Sequence, residues 1–297
     1  MTTTSYQASP IKRHRSTKAE VEGRRESLLD IVSEMQPMTV RQVFYQATVR
    51  GIIEKTEAGY TKVQTDLALM RRAGELPYEW LADNTRCQRK PRTFNSVEEA
   101  LKQTAQLYRK NLWVSADAYV EIWLEKDALA GVVWPVTAPY DVPLMVARGY
   151  ASLSFLHNAA EYINDLTVPA YIYHLGDYDP SGVNAAEKIE QTLRELAPYA
   201  EIYFVRIAVT PGQIQEWNLP TRPTKASDTR AKNFGEISVE FDAIEPEVLR
   251  TIVEAAIELH LPSEQLEVLK AAEESERELI TSLVERMAGG AGPEAAP

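Results

Sequence analysis

Apolar positions along the chain follow two different rhythms. Between residues 18 and 74 they recur at helical spacing. In KAEVEGRRESLLDIVSEM, Val21, Leu28, Leu29 and Val32 share one face, and Ser16 stands where an N-cap is expected. Thr39 is placed to cap VRQVFYQATVRG, and Gly51 to end it. TKVQTDLALMRRAG would turn Val63, Leu67 and Met70 inward and stop at Gly74. Short helices joined by tight connections predict a helix-turn-helix or winged-helix-like module, whose third helix would be the groove-facing element.

Residues 90–115 read as a connector, after which the rhythm changes. AYVEIWLE (118–125), VPLMVA (142–147), AYIYHLG (170–176) and EIYFVRIAV (201–209) are strand-like. KDALAGVVWPV, SFLHNAAEYIND and SGVNAAEKIEQTLRELA lie between them with helical spacing. This alternation predicts a four-stranded, mainly parallel sheet with helices on its faces and right-handed connections. The expected chain is mixed α/β. A flexible basic arm covers 1–18, a winged-helix-like domain 19–113 and an α/β domain 114–246. A helical segment follows over 247–285, then a flexible tail over 286–297.

Composition narrows the class. A hydrophobic content of 44% with 25% charged residues is that of a soluble globular chain. No apolar run approaches the roughly 18 residues of a membrane span. The N-terminal stretch lacks the apolar core of a secretory signal, so a cytoplasmic protein is expected, nucleoid-associated in a prokaryote or virus. The single cysteine, Cys87, excludes an intramolecular disulfide and a cysteine metal cluster. The net charge of −11 argues against a nucleic-acid binder until its distribution is seen. Residues 1–113 carry 19 Lys/Arg and 13 Asp/Glu, a balance of +6, whereas residues 114–297 carry 13 and 30, a balance of −17. Phosphate contact would then fall to the front half, although the same asymmetry would also serve solubility.

Ligands of parallel α/β sheets bind beyond the carboxyl ends of the strands. Glu125 closes the first strand there, and Asp177 and Asp179 close the third, within GDYDPSG. Residues i and i+2 of an extended segment point the same way, so both aspartates would face one ion. An all-oxygen set of this kind suits Mg²⁺. The structural alternative is that an acid at such a position only caps the following helix. On the second predicted helix, Arg41 lies four residues before Tyr45 on the same face. A guanidinium there would hold a phosphate and favour the phenolate, whereas the plain alternative is a core tyrosine. On the third, Lys62, Arg71 and Arg72 are candidate DNA contacts. TRPTKASDTRAK, which reads as a loop, adds Arg222, Lys225, Arg230 and Lys232. His157 and His174 do not form a zinc pattern, and His174 reads as a strand residue beside the acidic cluster.

From about residue 38 to 245 the chain resembles the A subunit of topoisomerase VI and the related meiotic double-strand-break protein, and most of all the short stand-alone relatives of that subunit. The resemblance rests on Arg41, Phe44 and Tyr45, on Glu125-Lys126-Asp127, on Gly149-Tyr150, and on Asp177, Asp179, Pro180 and Gly182. A looser match covers Val239, Glu240, Phe241, Asp242 and Ala243. It implies a winged-helix domain followed by a Toprim domain. It also implies type IIB topoisomerase chemistry on double-stranded DNA, with Tyr45 forming a 5′-phosphotyrosyl bond and Mg²⁺ on Glu125, Asp177 and Asp179. In that family the chain is a homodimer, in which the tyrosine of one subunit works beside the metal site of the other. A GHKL-type ATPase B subunit is the family's further partner, and no nucleotide site is evident in this sequence. A hydrolytic Toprim nuclease and a non-catalytic DNA-binding or assembly protein are the alternative functions.

Overall fold

The computed structural model describes residues 16–82, 91–224, 234–261 and 263–289. It begins with three helices: α1 (Lys18–Met35), α2 (Val40–Val49) and α3 (Glu57–Ala73). The cap of α1 is Thr17 rather than Ser16. Glu20 reaches back to the Thr17 N–H at 2.7 Å while the Thr17 hydroxyl accepts from Glu20 N, which closes a capping box that Ser16 cannot form. Thr39 caps α2 in the same way. Its Oγ1 accepts from Gln42 N at 3.1 Å, and Gln42 Oε1 accepts from Thr39 N at 2.9 Å. The third helix starts at Glu57, earlier than the apolar pattern suggests, because Thr56 accepts from Gly59 N and so caps it. It ends at Gly74, whose φ of 75° is left-handed.

Six successive residues of α2, from Gln42 to Ala47, are buried. The helix is therefore enclosed on several sides: α1, α3 and a turn at Phe241–Ala243 all pack on it. A buried carboxylate, Asp66 on α3, locks α1 in place by accepting from Arg24 at 2.6 Å and Arg25 at 3.2 Å.

The predicted connector contains a helix, α4 (Val97–Leu107), capped by Ser96. Its partner lies at the far end of the chain, in α10 (Ser263–Gly289), so local sequence gives little sign of it. Next come β1 (Tyr119–Leu124), α5 (Ala130–Thr137), β2 (Leu144–Val146), α6 (Leu153–Asn164), β3 (Ala170–Leu175), α7 (Pro180–Leu196) and β4 (Ile202–Ala208). The strands form one parallel sheet in the order β2-β1-β3-β4. A short helix, α8 (Pro211–Glu216), precedes a small antiparallel pair, β5 (Arg222–Pro223) with β6 (Ile237–Ser238). The predicted C-terminal helical segment is two helices, α9 (Pro246–Glu258) and α10.

Alternation along the strands sorts the sheet into two faces. Trp123 and Ile172 look toward α6 and α7, where they meet Leu156, Ile163, Ile189 and Leu193. Val120, Ile122 and Leu175 look toward α5 and α9, in a core that runs without a break into the helices α1–α3. Arg250 on α9 donates to the carbonyls of Met35 and Pro37, both at 3.3 Å, which fixes the end of α1 to this layer. The front helices and the sheet are thus packed as one body. Among the described residues, no helix is long and apolar enough to cross a membrane.

Replacing Thr39 by alanine removes the cap of the helix that carries Arg41 and Tyr45. A loss of about 1 kcal/mol is expected in urea unfolding. An unchanged midpoint would mean that packing alone sets that helix.

Candidate functional site at the carboxyl edge of the sheet

The carboxyl ends of β1 and β3 lie side by side, with Trp123 opposite His174 and Leu124 opposite Leu175. That register brings Glu125 and Gly176 together. Glu125 Oε2 accepts from Asp177 N at 2.8 Å, and two glycines leave room for it. A Cβ at Gly176 would stand 2.4 Å from that oxygen, and one at Gly182 would stand 3.1 Å from it and 2.6 Å from the Asp177 carbonyl. Burial, then the neighbouring Asp177 carboxylate, push the Glu125 carboxyl above the usual range.

Asp177 and Asp179 do not share one direction in this conformation. Asp179 is the N-cap of α7, its Oδ1 accepting from Gly182 N at 2.8 Å, and its Oδ2 takes Arg222 at 3.0 Å. Asp177 Oδ1 accepts from Phe241 N at 2.7 Å and pairs with Lys126 at 2.7 Å. The reason is the tight turn after β3: once Asp179 caps the helix, its side chain is committed to that helix. Both roles weighed for these acids, helix cap and member of an acidic cluster, therefore meet in one residue.

The segment around Phe241 supplies two acids that the sequence suggests only through the family resemblance. Val239 exchanges backbone hydrogen bonds with Tyr178, both at 2.9 Å, and so runs alongside the turn. Glu240 and Asp242, on either side of the fully buried Phe241, then project into the site. Asp242 pairs with Lys126 at 2.6 Å. Glu240 accepts from Arg41 and pairs with Arg222 at 3.0 Å. Burial works against the Lys126 charge, but Asp242 and Asp177 outweigh it and hold the ammonium firmly protonated. Arg206 is a further residue missed by the pattern. It donates to the carbonyls of Gly176 and Asp177 and thereby pins the turn. A lone cation among Ile202 and Phe204 on the inward side of β4 was the available signal.

Arg41 and Tyr45 do share a face of α2 and meet Glu240 there. Tyr45 is only 3% exposed. Burial and then the Glu240 carboxylate push its phenol well above the ordinary range, and Arg41 offsets them only in part. Arg41 thus favours the phenolate as expected, but burial and Glu240 outweigh it in this conformation. Lys55 lies over the Tyr45 ring, 5.1 Å from its centre.

A cleft of about 630 Å³ opens between the front helices and this edge, lined by Arg41, Tyr60, Arg71, Glu125, Lys126 and Asp242. Arg71 reaches it while stacked on Tyr78, 4.5 Å from the ring centre, and donating to the Tyr78 carbonyl at 2.7 Å. Lys62 and Arg72 are exposed on α3. Arg222 is drawn into the ion pairs with Asp179 and Glu240 rather than standing free. Lys225, Arg230 and Lys232 lie outside the described residues. His174 is buried on β3, its Nδ1 without a partner among the described residues, and burial lowers its pKa to about 3, so it is neutral at physiological pH.

The donor chemistry of Glu125, Asp177 and Asp179 suits a hard divalent cation. In this conformation no three His, Cys, Asp or Glu side chains among the described residues converge enough to hold one. Lys126 and Arg222 instead neutralise the aspartates, and both would have to turn aside for an ion to bind. No protein-family profile matches the chain, and no curated protein is detectably similar to it.

The glycine cradle gives a paired expectation. Gly182→Ala drives a Cβ against the rigid Asp177 carbonyl and should destabilise by roughly 1–3 kcal/mol. Gly23→Ala, in α1 with nothing within 4 Å of the new methyl, should stabilise by about 0.5–1 kcal/mol. Urea melts of the two variants check both signs; a neutral Gly182→Ala would show that the turn around Glu125 is loose.

Proposed function

We propose that the chain is a DNA-cleaving enzyme of the type IIB topoisomerase A-subunit kind, with a winged-helix-like front and a Toprim-like sheet. The observation that carries this is the cleft. It gathers Arg41, from the helix of Tyr45, with Glu125, Lys126 and Asp242, residues that lie far apart in sequence. Cations and acids gathered in one cleft are what a phosphodiester and a divalent ion require together.

Glu125, Asp177 and Asp179 are the residues that would hold the ion, Mg²⁺ by donor type. Such an ion supplies charge stabilisation at a phosphoryl centre. The chain's own groups do the rest. Arg41 and Lys126 bind the phosphodiester anion from the cleft wall. The Tyr45 oxygen attacks phosphorus, and the 5′-phosphotyrosyl bond forms as the bond to the 3′ oxygen breaks. The phenolic proton passes to Glu240, and the departing 3′ oxygen takes up a proton from water to become a hydroxyl. Because one ester replaces another, the strand can be resealed. Double-stranded DNA would lie across α3, with Lys62 and Arg72 on phosphates. The family resemblance would set the tyrosine of one copy beside the metal site of the other. In this conformation Tyr45 meets Glu240 of its own chain, so each copy of a closed homodimer would carry its own site and two copies would make two cuts.

The burial of Tyr45 favours one second reading, a hydrolytic nuclease in which water attacks and the tyrosine is structural. Tyr45→Phe separates the two. Under the proposal it binds DNA as wild type does but forms no covalent adduct, measured by detergent-trapped protein on end-labelled duplex. An adduct that persists in this variant contradicts the proposal. Undiminished cutting without any adduct moves the assignment to hydrolysis.

Phosphate contact by α3 has its own signature. Arg72→Ala should weaken duplex binding evenly across sequences and reduce the slope of log K against log salt by about one. An unchanged slope would place the DNA elsewhere.

A further inference from the structure

A second cavity, of about 820 Å³, lies away from the acidic cleft at the opposite end of the sheet. Its origin is a gap in the strand order. β2 pairs only with Ile122, Trp123 and Leu124 of β1, so among the described residues the flank of β1 away from β3, from Tyr119 to Glu121, has no neighbouring strand. One stripe of α6 covers the gap: Phe155, Asn158, Ala159 and Tyr162, at helical spacing, all line it. Tyr119 meets Tyr162 there with ring centres 5.1 Å apart.

Glu121 also lines this cavity, and its surroundings are unusual for an acid. It is 3% exposed. Its partners are neutral: the Tyr119 hydroxyl donates to Oε1 at 2.8 Å and the Trp123 indole N–H to Oε2 at 2.6 Å. Among the described residues no cation pairs with it. The one guanidinium at the cavity, Arg109, is taken up by the Ala138 carbonyl at 2.9 Å and by Glu273 at 3.6 Å. A second acid, Asp141, stands at the margin. Burial pushes the Glu121 carboxyl upward, against the two hydrogen bonds. An isolated buried carboxylate is costly: alone it is driven to take up a proton, and a cation that joins it keeps it charged. Each of its oxygens retains a further acceptor position.

We propose that this cavity binds a small organic cation, a primary ammonium carrying an apolar or aromatic body. The ammonium donates to the open positions on Glu121, and the faces of Tyr119 and Tyr162 add cation–π attraction. Phe155 and Met145 receive the apolar body. Four aromatic or apolar walls around one unpaired charge select both halves of such a ligand. The proposal is independent of the DNA chemistry, because no residue of the acidic cleft takes part.

The test is calorimetric titration of the full chain with 2-phenylethylamine hydrochloride, against neutral 2-phenylethanol at the same ionic strength. Saturable one-to-one binding of the amine is expected, with the alcohol at least roughly tenfold weaker, the loss of one charge-assisted contact. Glu121→Gln keeps the shape but removes the charge. Its one amide oxygen can still accept from the Trp123 indole while the Tyr119 hydroxyl turns to accept from the amide N–H. It should weaken the amine by a similar factor with near-ultraviolet circular dichroism unchanged. If that variant misfolds, Tyr162→Leu tests the wall instead: this side chain is 57% exposed, so the fold tolerates its loss, and affinity should fall about threefold. No uptake of the amine up to about 10 mM, beyond the affinity of weak specific ligands, overturns the proposal. So does equal binding of amine and alcohol, or full binding by a folded Glu121→Gln or Tyr162→Leu chain.

Discussion

One ammonium group, on Lys126, stands between the carboxylates of Asp177 and Asp242 and ties three distant stretches of chain to a single point. It follows directly on the end of β1, faces the turn after β3, and reaches the segment that closes over α2. Charges this enclosed are expensive to desolvate, and they persist only when each is met by its opposite at hydrogen-bonding distance. Lys126 meets two at once. Removing Lys126 strips both carboxylates of their shared cation, a loss of about 3–5 kcal/mol in comparable pairs. The shared core beneath, from α1 to α9, sets the distance at which this can happen, and Phe241 fills the space between.

The same arrangement explains why the acids are quiet as they stand. Asp177, Asp179, Glu240 and Asp242 each carry a cation from the chain itself, and Glu125 is held by a backbone N–H and burial. A divalent ion and a phosphodiester would replace those internal partners with external ones, an exchange of ion pairs rather than their creation. Tyr45 belongs to the same economy. Its hydroxyl lies against Glu240, which Arg41 and Arg222 also hold, so movement of either arginine toward a phosphate alters the tyrosine's surroundings.

Much of the frame was legible in the sequence because it is governed by local chemistry. Thr39 with Gln42, and Gly74 in its left-handed turn, mark helix ends by rules that need no tertiary partner. The strands were readable from their apolar runs, and their parallel order from the alternation with helices. What escaped turns on which partner each residue finds, near or far. Nothing near Val97 announces that α4 will find α10. The competition of Ser16 and Thr17 for the first cap was settled by Glu20. The two aspartates of GDYDPSG look equivalent in an extended chain, but the helix beginning at Pro180 takes one of them as its cap. Lys126, Glu240 and Asp242 are ordinary charged residues until the fold buries them together.

The central claim, that cleavage passes through a tyrosine ester, is tested most directly on supercoiled plasmid with Mg²⁺. The reaction is stopped with detergent and run on a gel with and without prior protease digestion. The account predicts cut DNA that carries protein on its 5′ ends and is freed of it by digestion. Cut DNA whose 5′ phosphates are free before any protease is added would contradict it.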